Sequence, residues 1–183
     1  MTRLILLDRD GVLNVDKGDF VKHPGELEMI AGAARAVARL NQAGVKVAVC
    51  TNQSVVGRGI IGRAQLDAVH RALAERLSAE GARLDLLLDC TDHPERPGPR
   101  RKPQPGMLIE ALRHFSATPG ETPMIGDSLR DLQAAERAGC KRVLVRTGQG
   151  KKTQGDGLPD NVLPVAVHDD LAAAVDAYLD GRL

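Results

Sequence analysis

The chain has 183 residues with 25 Lys and Arg against 24 Asp and Glu, so we expect residues 1–183 to form a single domain with its own core, without bulk electrostatic attraction to nucleic acid or membranes. Its three cysteines are too few and odd in number for a disulfide scaffold, which favours a reducing compartment. The first apolar run is too short for a signal peptide or a membrane span, so a cytoplasmic protein is expected.

The chain opens with an aliphatic run, Leu4 to Leu7, that leads into two acidic residues. Such a run predicts a buried strand, and Gly11 then supplies a turn. Residues two apart in an extended chain project to the same side, so Asp8 and Asp10 are expected to face one ligand while Arg9 points away. Two neighbouring carboxylates repel each other, which indicates a divalent metal or an acid/base pair. The alternative at this point is a solvated acidic turn.

Strand and helix patterns then alternate along the chain. Helices are predicted around 33–40, 66–77, 108–115, 132–138 and 171–179, and strands at 45–50, 84–88, 124–127, 143–145 and 165–167. The proline-rich segment 92–106 and the polar segment 148–157 are predicted to be loops, the second of them mobile. This alternation predicts an α/β fold, a doubly wound, Rossmann-like parallel sheet flanked by helices.

Polar and charged residues follow several of these strands. Thr51 to Ser54 follow the second strand, Asp127 ends the fourth, and Arg101 and Lys102 lie in the proline-rich loop. Since parallel strands place their carboxyl ends on one edge of the sheet, these segments are expected to converge with Asp8. A metal held by carboxylates, a lysine and a hydroxyl would bind a phosphoryl group and neutralise its charge during transfer.

Four motifs resemble those of the haloacid dehalogenase superfamily of phosphatases. Their sequences are closest to those of its heptose bisphosphate and histidinol phosphate phosphatase branch. The motifs are Asp8-Arg9-Asp10-Gly11, Thr51-Asn52-Gln53-Ser54, Arg101-Lys102-Pro103 with Pro105-Gly106-Met107, and Gly126-Asp127-Ser128-Leu129-Arg130-Asp131. The resemblance extends from Leu4 to about Gly148. It is specific because the motifs occur together and in this order.

The resemblance implies a role for each of five residues. Asp8 would be the nucleophile that forms an aspartyl-phosphate, and Asp10 the general acid that later becomes the general base. Mg²⁺ would be held by Asp8, by the backbone carbonyl of Asp10 and by Asp127. Thr51 and Lys102 would stabilise the transferring phosphoryl group.

The resemblance also implies a set of substrate-binding residues, namely Asp16, Asp19, Asn52, Gln53, Ser54 and Arg101. No cap domain is expected, because the connections 14–33 and 51–84 are too short to contain the one inserted in many members. Related sequences often carry an aromatic residue at the position of Asp19, so the exact sugar and its anomer are left open.

The resemblance implies a monomeric, magnesium-dependent phosphatase acting on a small phosphorylated sugar. D-glycero-D-manno-heptose 1,7-bisphosphate, losing its 7-phosphate towards lipopolysaccharide precursors, is the first substrate, and histidinol phosphate or another small sugar phosphate is the alternative. A receiver-like phosphoacceptor domain is the alternative outside enzymes. Asp10 favours the enzyme, because a poised acid/base promotes hydrolysis of a phosphorylated aspartate.

Zinc is a further question that the resemblance raises. Members of this branch often bind a structural zinc through a Cys-x-His pair and a Cys-x-Cys pair. Here Cys90 and His93 remain in altered spacing, and the segment 97–100 contains no cysteine. Because tetrahedral structural zinc normally has four protein ligands, structural Zn²⁺ is not expected.

Overall fold

The structure is a computed structural model that describes residues 2–183. Its strands are β1 (Leu4–Leu7), β2 (Lys46–Asn52), β3 (Leu86–Cys90), β4 (Pro123–Gly126), β5 (Lys141–Val145) and β6 (Ala166–His168). Its α-helices are α1 (Ala33–Gln42), α2 (Ser54–Gly57), α3 (Arg63–Ala79), α4 (Gly106–Phe115), α5 (Leu129–Ala138), α6 (Gly150–Gly155) and α7 (Leu171–Leu179). Within these residues, no helix combines the length and apolarity needed to cross a bilayer.

All six strands are parallel and lie in the order β3-β2-β1-β4-β5-β6. The chain therefore proceeds outward from β1 to β3 and then returns to β4 on the other side of β1. Leu6 pairs with Met124 and Leu7 with Ile125, so β1 and β4 end at the same edge. The predicted doubly wound sheet is confirmed, and Asp8 and Asp127 follow the two strands at its switch point, where such sheets bind ligands.

The central strand β1 is buried on both faces, which explains its unbroken apolar sequence. Ile5 and Leu7 pack with α1, α3 and α7, whereas Leu4 and Leu6 pack with α4 and α5. All four side chains are at most 1% exposed. The sheet is thus fixed between two helical layers, and its carboxyl edge is a rigid base for the residues that follow each strand.

Two helices differ from the prediction. The four-residue α2 was not predicted, and α6 lies inside the segment 148–157, so the prediction of a loop is wrong there. Neither helix has an apolar face long enough to produce a periodic pattern, so tertiary contacts determine both. The strand predicted at 84–88 begins two residues later. Across the described residues, the connections from β1 to α1 and from β2 to β3 contain no cap domain.

Candidate active site

A cleft of about 240 Å³ lies at the carboxyl edge of the sheet, above β1 and β4. Eight of the predicted site residues line it: Asp8, Asp10, Asp16, Asp19, Asn52, Gln53, Lys102 and Asp127. Ser128 and Asp131, which follow Asp127 in the fourth motif, line it too. So do Arg9, Arg130 and Gln149, to which the sequence assigned no role in the site. Thr51, Ser54 and Arg101 are buried beside the cleft and are not part of its lining.

Lys102 is a buried cation between two carboxylates. Its Nζ lies 3.0 Å from Asp8 Oδ1 and 2.6 Å from Asp131 Oδ1, and its side chain is 2% exposed. Burial alone would lower the pKa of Lys102, but the charges of Asp131 and Asp8 outweigh burial and raise it. The ammonium group is therefore a permanent positive charge beside Asp8.

Asp8, Asp127 and Asp131 form an acidic cluster whose ligand atoms lie within 4.8 Å of one another. Burial raises the pKa of Asp8 to about 6, with Lys102 opposing this effect and Asp131 adding to it. Burial, then the charges of Asp8 and Asp131, raise the pKa of Asp127 to about 8. Three carboxylates against one buried ammonium leave negative charge uncompensated, and hard oxygen ligands suit Mg²⁺, so these residues fit a magnesium ion.

Asp127 is held in place by the segment that follows β5. The backbone N–H of Gln149 donates to Asp127 Oδ2 at 2.8 Å, and Thr153 Oγ1 donates to the Asp127 carbonyl at 2.9 Å. Gly148 approaches so closely that a Cβ there would overlap Asp127 Oδ2. Gln149 Nε2 also donates to Asp16 Oδ2 at 3.0 Å, which links this segment to the loop after β1.

Asp10 accepts hydrogen bonds from three side chains. Arg9 Nη2 and Asn14 Nδ2 each donate to Oδ1 at 2.9 Å, and Gln53 Nε2 donates to Oδ2 at 2.7 Å. Burial opposes ionisation of Asp10, but the Arg9 charge and these bonds prevail and lower its pKa. The prediction that Arg9 points away is wrong, because β1 ends at Leu7 and the strand alternation does not reach Arg9.

The residues at the end of β2 connect the other site segments. Gln53 Nε2 also donates to Thr51 Oγ1 at 2.9 Å, and Thr51 is fully buried. Asn52 Nδ2 donates to the Lys102 carbonyl at 2.9 Å, and the Lys102 N–H donates to Asn52 Oδ1 at 3.0 Å. This pair of bonds fixes the Lys102 turn against β2. Ser54, buried at 6% exposure, begins α2.

Charged residues of both signs surround the mouth of the cleft. Asp19 is exposed, and its Oδ2 accepts from Lys22 Nζ at 2.7 Å. Burial and the charges of Arg130 and Arg58 lower the pKa of Arg101, and of these three arginines Arg130 lines the cleft. Carboxylates at the mouth suit hydroxyl groups, while the arginines suit an anion.

Comparison with known proteins identifies the family. A family model described as HAD-hydrolase-like matches residues 99–174. The chain is 42% identical to the D-glycero-β-D-manno-heptose-1,7-bisphosphate 7-phosphatase of Pseudomonas aeruginosa, over 96% of this chain and 97% of that protein. It is also 42% identical to the enzyme of the same name from Bordetella bronchiseptica, over 97% and 98%. The chain belongs to the haloacid dehalogenase-like (HAD-like) hydrolases.

A solved structure supports the same assignment. The D,D-heptose 1,7-bisphosphate phosphatase of Bordetella bronchiseptica, complexed with magnesium and phosphate, superposes on the HAD-like chain with a TM-score of 0.93. The two share 41% sequence identity, and the match covers 98% of this chain and 99% of that one. The predicted family and fold are therefore confirmed together.

Several residues of this HAD-like site were missed by the sequence reasoning. Arg9 and Asn14 lie inside or beside the first motif, so their position was a usable signal for contact with Asp10. Arg130 lies inside the fourth motif, which was a comparable signal, whereas Gln149 gave none. Gln149 reaches Asp127 from 22 positions along the chain, through a loop that sequence periodicity does not describe.

Proposed function

We propose that the chain is a magnesium-dependent phosphatase that removes the 7-phosphate of D-glycero-β-D-manno-heptose 1,7-bisphosphate. The observation that carries this proposal is the position of the Asp8 carboxylate, 3.0 Å from the buried Lys102 ammonium and within an acidic cluster with Asp127. The substrate and its β anomer are supported by the names of the Pseudomonas and Bordetella relatives.

We propose that the reaction proceeds in two steps through Asp8. Asp10, whose pKa is lowered, must take up a proton from solvent before the first step. In that step an Asp8 oxygen attacks phosphorus, the bond from phosphorus to the sugar oxygen breaks, and Asp10 gives that oxygen its proton. In the second step water loses a proton to Asp10 and attacks the aspartyl-phosphate, which releases phosphate and restores the Asp8 carboxylate. Lys102 would stabilise the charge on the phosphoryl oxygens in both steps. The same role for Thr51, which is fully buried beside the cleft, stays a prediction.

Magnesium would be held by Asp8, Asp127 and the backbone carbonyl of Asp10. Bound there, the ion would supply positive charge to the oxygens of the phosphoryl group. Asp131 bonds to Lys102 and to Ser128 Oγ, the latter at 2.6 Å, so we propose that it orients its neighbours rather than the ion.

We propose that the sugar is recognised at the mouth of the cleft. Asp16, Asp19 and Asn52 line it and can bond to hydroxyl groups. Contact between substrate and Arg101, which is buried beside the cleft, stays a prediction. Gln53 is 2% exposed, so any substrate contact is limited to its edge in the cleft. Contact between Ser54 and substrate stays a prediction.

The proposal is tested by phosphate release with magnesium and then with chelator. We expect turnover of the β-heptose bisphosphate that stops on chelation and falls at least about 10³-fold in Asp8→Asn, as for other covalent nucleophiles. The matched control is Asp176→Asn, since Asp176 pairs with Arg39 outside the cleft, and its activity should equal that of wild type. Full activity of Asp8→Asn would refute the mechanism.

The same assay distinguishes the alternatives. The α-heptose bisphosphate, histidinol phosphate and common sugar phosphates are compared with the β anomer at equal concentration. Faster turnover of histidinol phosphate would replace the heptose assignment and keep the phosphatase. Release of less than one phosphate per protein would instead favour a receiver-like phosphoacceptor domain.

We also propose that the protein acts as a monomer in the cytoplasm. Cys50, Cys90 and Cys140 are buried free thiols, which is typical of a reducing compartment. Light scattering of the purified protein and fractionation of the cells that produce it test these two statements separately.

A further inference from the structure

We propose that Arg9 is a positioning residue that keeps the Asp10 carboxylate directed at the leaving oxygen of the substrate. This inference rests on the proposed phosphatase function. It deepens that function, because both proton transfers would depend on the buried Arg9 side chain, which would not itself contact phosphate.

The contacts of Arg9 are directed at one carboxylate. Nη2 donates to Asp10 Oδ1 at 2.9 Å and to Oδ2 at 3.2 Å, and Nε donates to Oδ1 at 3.3 Å. Because a guanidinium is planar and its donors are fixed relative to one another, such contacts set the plane of the carboxylate as well as its position. A single ammonium could not do this.

The surroundings of Asp10 leave one side of it open. Asn14 donates to Oδ1 and Gln53 to Oδ2, so together with Arg9 they supply protein hydrogen bonds to both carboxylate oxygens. The Asp10 side chain is still 30% exposed, and Asp10 lines the cleft. Its proton must therefore be exchanged on the open side, towards bound substrate.

A purely structural role accounts poorly for Arg9. A structural arginine of this chain, Arg76, uses its guanidinium to bond the backbone carbonyls of Leu27 and Pro24. The Arg9 side chain bonds to Asp10 and is fully buried, yet its Nη1 has no partner within residues 2–183. Burying an unpaired donor lowers the stability of a protein. The position of Arg9 therefore orients Asp10 and does so at the expense of stability.

This assignment predicts an effect that depends on the leaving group. Without Arg9, two neutral donors remain and the carboxylate is free to rotate, whereas Asp8 and Lys102 keep their 3.0 Å contact. Release of a sugar alkoxide needs a well-placed proton, but release of 4-nitrophenolate does not. Loss of Arg9 should therefore slow the first reaction and spare the second.

The experiment compares wild type, Arg9→Met and Arg9→Lys with magnesium on two substrates. For Arg9→Met we expect kcat on the β-heptose bisphosphate to fall about 10²-fold while KM changes less than about threefold. The single-turnover rate of 4-nitrophenolate release, which reports only formation of the aspartyl-phosphate, should stay within about threefold of wild type. Arg9→Lys keeps the charge without the planar fork and should lose about tenfold on the heptose substrate alone.

Arg76→Met is the matched control, because it removes a structural arginine, and both of its rates should equal those of wild type. Equal losses on both substrates in the Arg9 variants would overturn the inference, as would an unchanged kcat or a change confined to KM. Circular dichroism tests whether each variant is folded. If Arg9→Met does not fold, the same two rates are compared in Arg9→Lys, and the same outcomes support or overturn the inference. Absence of wild-type turnover would overturn the proposed function itself.

Discussion

Lys102 is buried and forms ion pairs with two carboxylates, so its removal should affect both catalysis and folding. In Lys102→Met, Asp8 and Asp131 lose their shared partner, and we expect kcat to fall at least about 10²-fold through loss of charge stabilisation at the phosphoryl group. The matched control is Lys46→Met, which breaks the Lys46–Asp85 pair away from the cleft. Phosphate release measures the effect, and activity above half that of wild type would contradict it.

Gly148 lies so close to the Asp127 carboxylate that no side chain fits between them. It has φ +56°, and any Cβ would overlap Asp127 Oδ2, so Gly148→Ala should displace a proposed magnesium ligand. We expect the magnesium concentration for half-maximal activity to rise at least about tenfold, comparable to the loss of a supporting contact at a metal site. Gly157→Ala is the matched control, because Gly157 also has positive φ but nothing within 4 Å of its Cβ position. Equal magnesium titrations of the two variants would refute this role.

Two of the predicted site residues that line the cleft, Asp8 and Asp127, owe their positions to the sheet. Both residues directly follow strands, and a parallel sheet brings such residues to one edge regardless of the conformation of its loops. Arg9 was assigned the wrong direction because strand geometry was extended two residues beyond the end of β1. Gln149 could not be found, since its contacts with Asp127 and Asp16 depend on how a polar loop returns over the sheet.

At the scale of elements, most of the buried side chains of α3 belong to the same apolar cluster as side chains of β1 and β2. Leu73 is completely buried in this helix, and Leu73→Ala should lower the free energy of unfolding by about 2–5 kcal/mol through lost burial and a residual cavity. Leu163→Ala is the matched control, because Leu163 is 48% exposed and its truncation should change stability by less than about 0.5 kcal/mol. Urea unfolding measures both, and equal effects would show that α3 does not hold the core as described.

The elements that were predicted correctly are those with their own pattern. α1 and α5 have apolar positions at helical spacing and end near glycines, and β1 is a continuous apolar run. By contrast, α2 and α6 are four and six residues long, too short to show an apolar repeat. Helices this short are marginal in isolation, so the rest of the fold determines them and no local signal exists.

At the scale of the whole molecule, the two halves of the sheet meet where the site lies. The chain leaves β1 in one direction and re-enters the sheet at β4, so carboxylates from sequence positions far apart become neighbours. The folded state therefore concentrates negative charge that the unfolded chain would disperse. This charge opposes folding until protons or a cation neutralise it, so stability and metal binding should be linked.

That linkage has a definite sign. A carboxyl whose pKa rises on folding stabilises the folded protein at low pH, and this contribution is lost as the pH rises through the folded pKa. For Asp127, with its folded pKa raised to about 8, the loss extends over neutral pH. The pH dependence due to His70 has the opposite sign. Burial lowers the pKa of His70 from 6.5 to about 4, so the stability that His70 contributes is lost as the pH falls below 6.5. The interval from pH 6.5 to about 8.5 therefore isolates the acidic cluster.

We expect the free energy of unfolding with chelator to fall as the pH rises across this interval, and magnesium to reduce that slope because it binds the ionised carboxylates. Urea unfolding at several pH values, with magnesium and with chelator, measures both curves. In Asp127→Asn the chelator curve should be flatter and the magnesium effect smaller, since the titrating group with the highest pKa in the cluster is gone. A stabilisation by magnesium that is larger at pH 6.5 than near pH 8.5 would contradict the linkage, because protons and the cation would then not compete for the same oxygens.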